Sequence, residues 1–103
     1  MLDIINPIFP TGQLVITRGV YNLAMENSDF AQFIRKSLNR HVTGDWGEMT
    51  NEDKEMNDQS LKEGERLLSA YSDDRFPKHG FSTLWIITEA DRSATTILFP
   101  DEY

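Results

Sequence analysis

Apolar positions along the chain change period twice, and each change marks a new kind of element. Residues 1–12 hold Pro7, Pro10 and Gly12 and read as an extended lead-in pinned by Ile5, Ile8 and Phe9. The β-branched run at 13–17 (Q-L-V-I-T) predicts a strand that Gly19 ends. Residues 20–26 predict a short helix with Leu23 and Met25 turned inward, and Asn27 with Ser28 forms a break and cap. From Ser28 or Asp29 the period becomes three and four. Phe30, Phe33, Ile34, Leu38 and then His41 or Val42 line one side, which predicts the clearest helix in the chain.

The segment Thr43-Gly44-Asp45-Trp46-Gly47 interrupts that helix, and its two glycines suit a tight turn that tucks the indole against the fold. Thr50 and Asp53 resemble a capping box, with Glu52, Asp53 and Glu55 in the first turns, where the helix dipole favours negative charge. Met56, Ser60 and Leu61 supply a thin inner face to this largely exposed helix, which Gly64 ends. The period then falls to two. Leu67, Ser69 and Tyr71 alternate with Leu68 and Ala70, and Trp85 and Ile87 with Leu84 and Ile86; a last strand covers 94–99 and stops at Pro100. A polar loop at 73–82 and a short connector at 91–93 make these consecutive strands antiparallel. The expected fold is a two-layer α+β domain spanning 1–103. Its N-terminal strand and helices pack on a C-terminal antiparallel sheet of three to four strands, the first strand at an edge.

Composition narrows the function classes. At 103 residues, 39% of them hydrophobic, the chain supports one core. The absence of cysteine excludes disulfides, zinc ribbons and a thiol nucleophile, and fits a reducing, cytoplasmic compartment. No basic leader precedes an apolar run, and apolar stretches reach only about four residues, so neither a signal peptide nor a membrane span is expected. The net charge of −7 disfavours general nucleic-acid binding, because phosphate backbones repel it. It suits plain solubility, or docking on a basic protein partner. Monomer and homodimer both remain open, and no cofactor or metal is implied.

Several segments resemble a family of small plasmid- or phage-associated proteins of unknown function, some of which carry a restriction-subunit label. The matching segments are R-H-V-T-G-D-W-G at 40–47, N-E-D-K-E-M-N-D at 51–58, R-L-L-S-A-Y at 66–71 and W-I-I-T-E-A-D-R-S-A-T-T-I-L-F-P-D-E-Y at 85–103, with the strand at 12–19. The loop at 73–81 is longer than the corresponding hairpin of the family. The resemblance implies a mobile-element setting and an accessory role. It supplies no catalytic residue.

Three constellations could carry chemistry. The hairpin set Thr88, Glu89, Asp91, Arg92, Ser93, Thr95 and Thr96, joined by His41, has the equipment of a metal-independent ribonuclease. Glu89 would activate a 2′-hydroxyl, Arg92 would hold the phosphate and His41 would protonate the leaving oxygen, with Thr95 beside them. The order of helices and sheet is similar to that of barnase and RelE-type toxins, though such enzymes are usually basic. The plainer reading pairs Glu89 with Arg92 across the turn. The second constellation is His41 with Asp45, as a general acid or metal pair, against a structural histidine that offsets the helix dipole. His79 beside Asp73 and Asp74 is a weaker cluster of the same kind, suited to a solvated surface. Phosphate-cradling glycine loops, G-x-S-x-G and H-E-x-x-H do not occur.

The third constellation is a surface. Glu48, Glu52, Glu55 and Asp58 recur at three- and four-residue spacing, with Asp53 and Glu63 on the same helix. Together they read as an acidic docking face. The function expected is therefore that of a non-enzymatic, protein-binding accessory module, with the small ribonuclease as the alternative.

Overall fold

The computed structural model describes residues 6–76 and 83–103. Its elements are β1 (Gln13–Ile16), α1 (Arg18–Glu26), α2 (Ser28–Val42), α3 (Asn51–Glu63), β2 (Leu67–Ser72), β3 (Thr83–Thr88) and β4 (Ala94–Leu98), followed by a single 3-10 turn at Pro100–Glu102. The α+β class is as expected. The sheet order is β1-β4-β3-β2. β2, β3 and β4 form the antiparallel meander, and β1 joins at an edge. The sheet is nevertheless mixed, not antiparallel throughout: β1 runs parallel to β4, with Leu14 opposite Thr95 and Ile16 opposite Ile97. The whole helical half of the chain lies between those strands, so no tight turn forces them to reverse.

α2 begins at Asn27, whose side chain accepts from the N–H groups of Asp29 and Phe30. Phe30, Ile34, Leu38 and Val42 all come out buried on one stripe. They pack with Val20, Leu23, Leu84, Ile86 and Ile97 into the main core, where Phe30 also meets Phe76 and Phe99. In the lead-in, Phe9 is buried but Ile8 is exposed, and Ile5 lies outside the described residues. Trp46 tucks in as expected, stacked against Phe9 in a second cluster with Leu67.

Local pattern failed at three points, each for a physical reason. Gly19 does not end the strand; it sits in the first turn of α1. The Glu102 carboxylate reaches that turn from the far end of the chain, accepting from Thr17 Oγ1 (2.6 Å) and Gly19 N (2.9 Å). It satisfies the Gly19 N–H, one of the first-turn helix donors that would otherwise be orphaned. A Cβ on residue 19 would lie 2.7 Å from the carboxylate oxygen, so glycine fits there. Met25 points outward, because a residue two positions after buried Leu23 falls on the other side of a helix. On α3 the inward residue is Asn57, not Met56.

Asn57 is buried because it acts as a piece of β-sheet. Its side-chain amide donates to Leu68 O (2.7 Å) and its Oδ1 accepts from Leu68 N (3.2 Å), on the outer side of β2. The next outward residue, Ala70, is paired by the backbone of the turn: Ala70 N donates to Trp46 O (3.3 Å) and Glu48 N donates to Ala70 O (2.7 Å). Ser72 N, the next after that, donates to the Glu48 carboxylate (3.1 Å). Gly47 permits this approach. Its φ is +75°, and a Cβ there would stand 2.0 Å from Ala70 O.

Candidate functional site

The ribonuclease reading requires Glu89, Arg92 and His41 to meet at an open surface. Strand alternation separates them. Thr88, Ile86 and Leu84 face the helices, so Glu89 follows Trp85 and Ile87 to the other side of the sheet. There Glu89 lies 3.6 Å from Arg66 Nε, not against the Arg92 side chain. The guanidinium of Arg66 also stacks on Tyr103, which stands edge-on to Trp85.

Arg92 occupies the left-handed region (φ +60°), a strained setting for a non-glycine residue. Its guanidinium binds four backbone carbonyls: Glu65 O (2.6 Å), Glu89 O (3.1 Å), Ala90 O (3.3 Å) and Ser60 O (3.4 Å). It also lies over the Phe9 ring at 5.7 Å. Ser60 O lies in the last turn of α3 and Glu65 O just beyond its end, where the dipole favours a cation. Arg92 thus clamps the β3–β4 turn onto α3.

His41 is fully buried on the inner side of α2. Its Nδ1 meets Ser69 Oγ at 2.6 Å and its Nε2 meets Thr88 Oγ1 at 2.9 Å. Thr88 Oγ1 lies 2.8 Å from Thr95 Oγ1, and Thr95 donates to Thr11 O at 2.8 Å. Each hydroxyl has one proton, and that fixes the direction of the chain. Thr95 donates to Thr11 O, so Thr88 donates to Thr95, and the Nε2–H of His41 donates to Thr88. Nδ1 then accepts from Ser69. The imidazole is neutral in this arrangement. Burial is the main cause that pushes its pKa down to about 3, and the positive charge of Arg92 adds to it. A neutral ring cannot offset the helix dipole as the sequence suggested. Phe9 and Trp46 close over it edge-on at 5.4 and 5.6 Å.

The pairing of His41 with Asp45 does not form either. Asp45 is bound by Arg40 (2.8 and 3.2 Å) and by Gly47 N (3.2 Å), and the Arg40 hydrogen bonds hold its carboxyl below the usual carboxylate range. His79 lies outside the described residues. Among the described residues, no three His, Cys, Asp or Glu side chains gather to hold a metal ion, and no helix is long and apolar enough to cross a membrane.

The acidic surface divides in two. Glu48 binds Ser72 N, and Asp58 accepts from the indole Nε1–H of Trp46 at 2.9 Å, so both carboxylates hold the fold together. Glu52, Glu55 and Glu63 are exposed on the outer side of α3, and Asp53 is exposed at its first turn. In their midst stands Met56, 68% exposed, one turn from Glu52 and two turns from Glu63. Asn57 and Leu61 face the rest of the fold. Sequence reasoning missed the edge-pairing role of Asn57. Its spacing of four from Leu61 was the available signal, masked by the greater hydrophobicity of the adjacent Met56. Comparison with family models, with curated proteins and with solved structures found no match.

Proposed function

We propose that this protein is a non-enzymatic docking module that engages a basic protein surface through the outer face of α3. The observation that carries this reading is Met56, an exposed apolar side chain one turn after Glu52 and two turns before Glu63, on a helix whose opposite side is committed to the fold through Asn57 and Leu61. An apolar anchor beside a mainly acidic rim is the arrangement of a binding surface. The anchor supplies affinity on desolvation, and the rim supplies steering and selectivity. Glu48 and Asp58 each commit one carboxylate oxygen to a donor in another part of the fold, whereas Glu63 accepts from Gln59 one turn back on the same helix. The resemblance to mobile-element proteins supplies a setting, in which the partner is a basic host protein of defence or nucleic-acid processing.

The test is affinity capture from the native host with wild-type protein and a Glu52→Gln/Glu55→Lys/Met56→Ala variant, both checked for folding by circular dichroism. A basic protein retained by the wild type, released by rising salt and lost by the variant is the expected result. Retention indifferent to these three residues, or no retention by either protein, sinks the reading.

A further inference from the structure

The β1 edge differs from every other backbone edge of the sheet. Gln13 N donates to Ser93 O (2.9 Å) and Thr17 N to Ile97 O (3.1 Å), so the odd-numbered residues turn their backbone groups toward β4. Leu14 and Ile16 therefore turn their N–H and C=O groups the other way. Among the described residues, nothing pairs with them: β1 ends the sheet, and β4 is its one neighbour. Natural edges of this kind are usually blunted by lysine, proline or a bulge. Residues 13–17 have none of these and carry no charge. Val15 is partly exposed on one face of this edge. On the other face, a largely apolar groove of ≈ 130 Å³ between β1, α1 and α2 is lined by Ile16, Tyr21, Ala24, Met25 and Ile34, with Arg35 at its side, and Tyr21 and Met25 are 53% and 70% exposed.

We propose that this edge pairs with the same edge of a second copy, forming a two-fold dimer with one continuous sheet. The row of donors and acceptors is self-complementary in the antiparallel sense. With Val15 facing Val15 on the axis, Leu14 of each copy exchanges both backbone bonds with Ile16 of the other. Charge distribution selects a second copy over other occupants. The α3 helix holds five carboxylates against two lysines and packs on β2, at the far edge. Joining two chains at β1 places their acidic helices more than about 30 Å apart, several Debye lengths at physiological salt. The uncharged strands at 13–17 meet, and the acidic faces point outward at both ends.

The test combines sedimentation equilibrium with amide exchange on the full chain. The expected result is a dimer in which the Leu14 and Ile16 amides exchange at least tenfold more slowly at high protein concentration than on dilution, while Val15 and Thr17 do not change. Val15→Lys, which brings two ammonium groups together on the axis, should weaken the dimer at least tenfold with an unaltered circular dichroism spectrum. A monomer at every concentration overturns the proposal. So does a dimer whose Leu14 and Ile16 amides ignore concentration, since its interface is then elsewhere, and so does a folded Val15→Lys protein that dimerises as tightly as wild type. Should Val15→Lys fail to fold, the exchange measurement on wild type decides alone.

Discussion

The two edges of the sheet are finished in opposite ways. Along β2, the outward groups of Leu68, Ala70 and Ser72 are each met by a different device: a helix side chain, a strand-like turn and a carboxylate. Along β1, the outward groups of Leu14 and Ile16 meet nothing among the described residues. An unpaired edge is a template for association, so natural sheets cover, charge or twist it. Here the chain between α2 and β2 closes one edge, at the cost of a glycine held at φ +75° and a buried asparagine. Burial in this protein therefore follows backbone hydrogen bonding as much as hydrophobicity. The difference between the edges also separates the acidic residues into those that complete the β2 edge region and those free for a partner.

His41 connects the two edges. Its chain of hydroxyls runs from Ser69 on β2 through Thr88 on β3 and Thr95 on β4 to Thr11, just before β1. Breaking it should have the largest effect of any single change. His41→Leu keeps the bulk but orphans Ser69 and Thr88 in the core, and should cost about 3–5 kcal/mol in urea unfolding at neutral pH. Acid should act on the same link in the wild type. The folded pKa of about 3 lies below the unfolded value of 6.5, so the unfolded chain takes up the proton first. Stability from this group is whole above pH 6.5 and is lost as pH falls from there toward 3, by about 4–5 kcal/mol in all. Asp45, held low mainly by its hydrogen bonds to Arg40, adds its own loss only below its ordinary 3.8. Unfolding curves between about pH 7 and pH 4.5 should therefore fall for wild type and stay nearly flat for His41→Leu. A parallel fall in both proteins would exclude His41 as the cause.

Most of the architecture was legible because it rests on period. The α2 stripe from Phe30 to Val42 and the alternation in β2 and β3 reappear as buried faces. The same alternation held more than was drawn from it. Ser69 shares parity with Leu67 and Tyr71, and Thr88 with Leu84 and Ile86, which marks both hydroxyls as core-facing partners for a histidine on α2. By that rule Glu89 belongs to the opposite face from His41, so the ribonuclease trio was already separated by pattern. Other features depended on contacts that no window contains. Glu102 reaches the start of α1 across most of the chain, and the parallel β1–β4 pair joins strands at opposite ends of it. Arg92 was read as a phosphate ligand from its place at a hairpin tip. Two of the four carbonyls it binds, those of Ser60 and Glu65, come from the end of α3 and the link that follows it, far from the hairpin in sequence.

Uncovering the β2 edge gives the next effect in size. Asn57→Ala leaves the N–H and C=O of Leu68 without their partners and should cost about 2 kcal/mol. The Leu68 amide should lose exchange protection while amides facing β3 keep theirs. The exposed edge should also make unfolding less reversible, because it offers a second pairing surface. Asn57→Asp separates the two bonds: its carboxylate still accepts from Leu68 N but offers no donor to Leu68 O. It should fall between wild type and alanine, or below alanine if repulsion from that carbonyl dominates. Full stability in Asn57→Ala would mean that the turn at 46–48 holds this edge without help from α3.

The smallest effect sharpens the division of the acidic residues. Glu48 and Ser72 are both exposed, so the bond between them competes with water and should contribute no more than about 1 kcal/mol. Glu48→Ala should destabilise by that amount and speed exchange at the Ser72 amide. Glu48→Gln keeps an oxygen that accepts from Ser72 N and should restore most of the loss while removing the charge. This pair of variants distinguishes the two roles of an acid on this face. If Glu48 serves the β2 edge, stability and Ser72 protection follow the presence of an acceptor, and partner capture is nearly equal in the glutamine variant and wild type. If it serves docking, capture falls with the charge and stability does not follow it. The second result would extend the binding surface from the outer side of α3 onto the turn that closes β2. The β2 edge would then be covered by the same residues that recognise the partner.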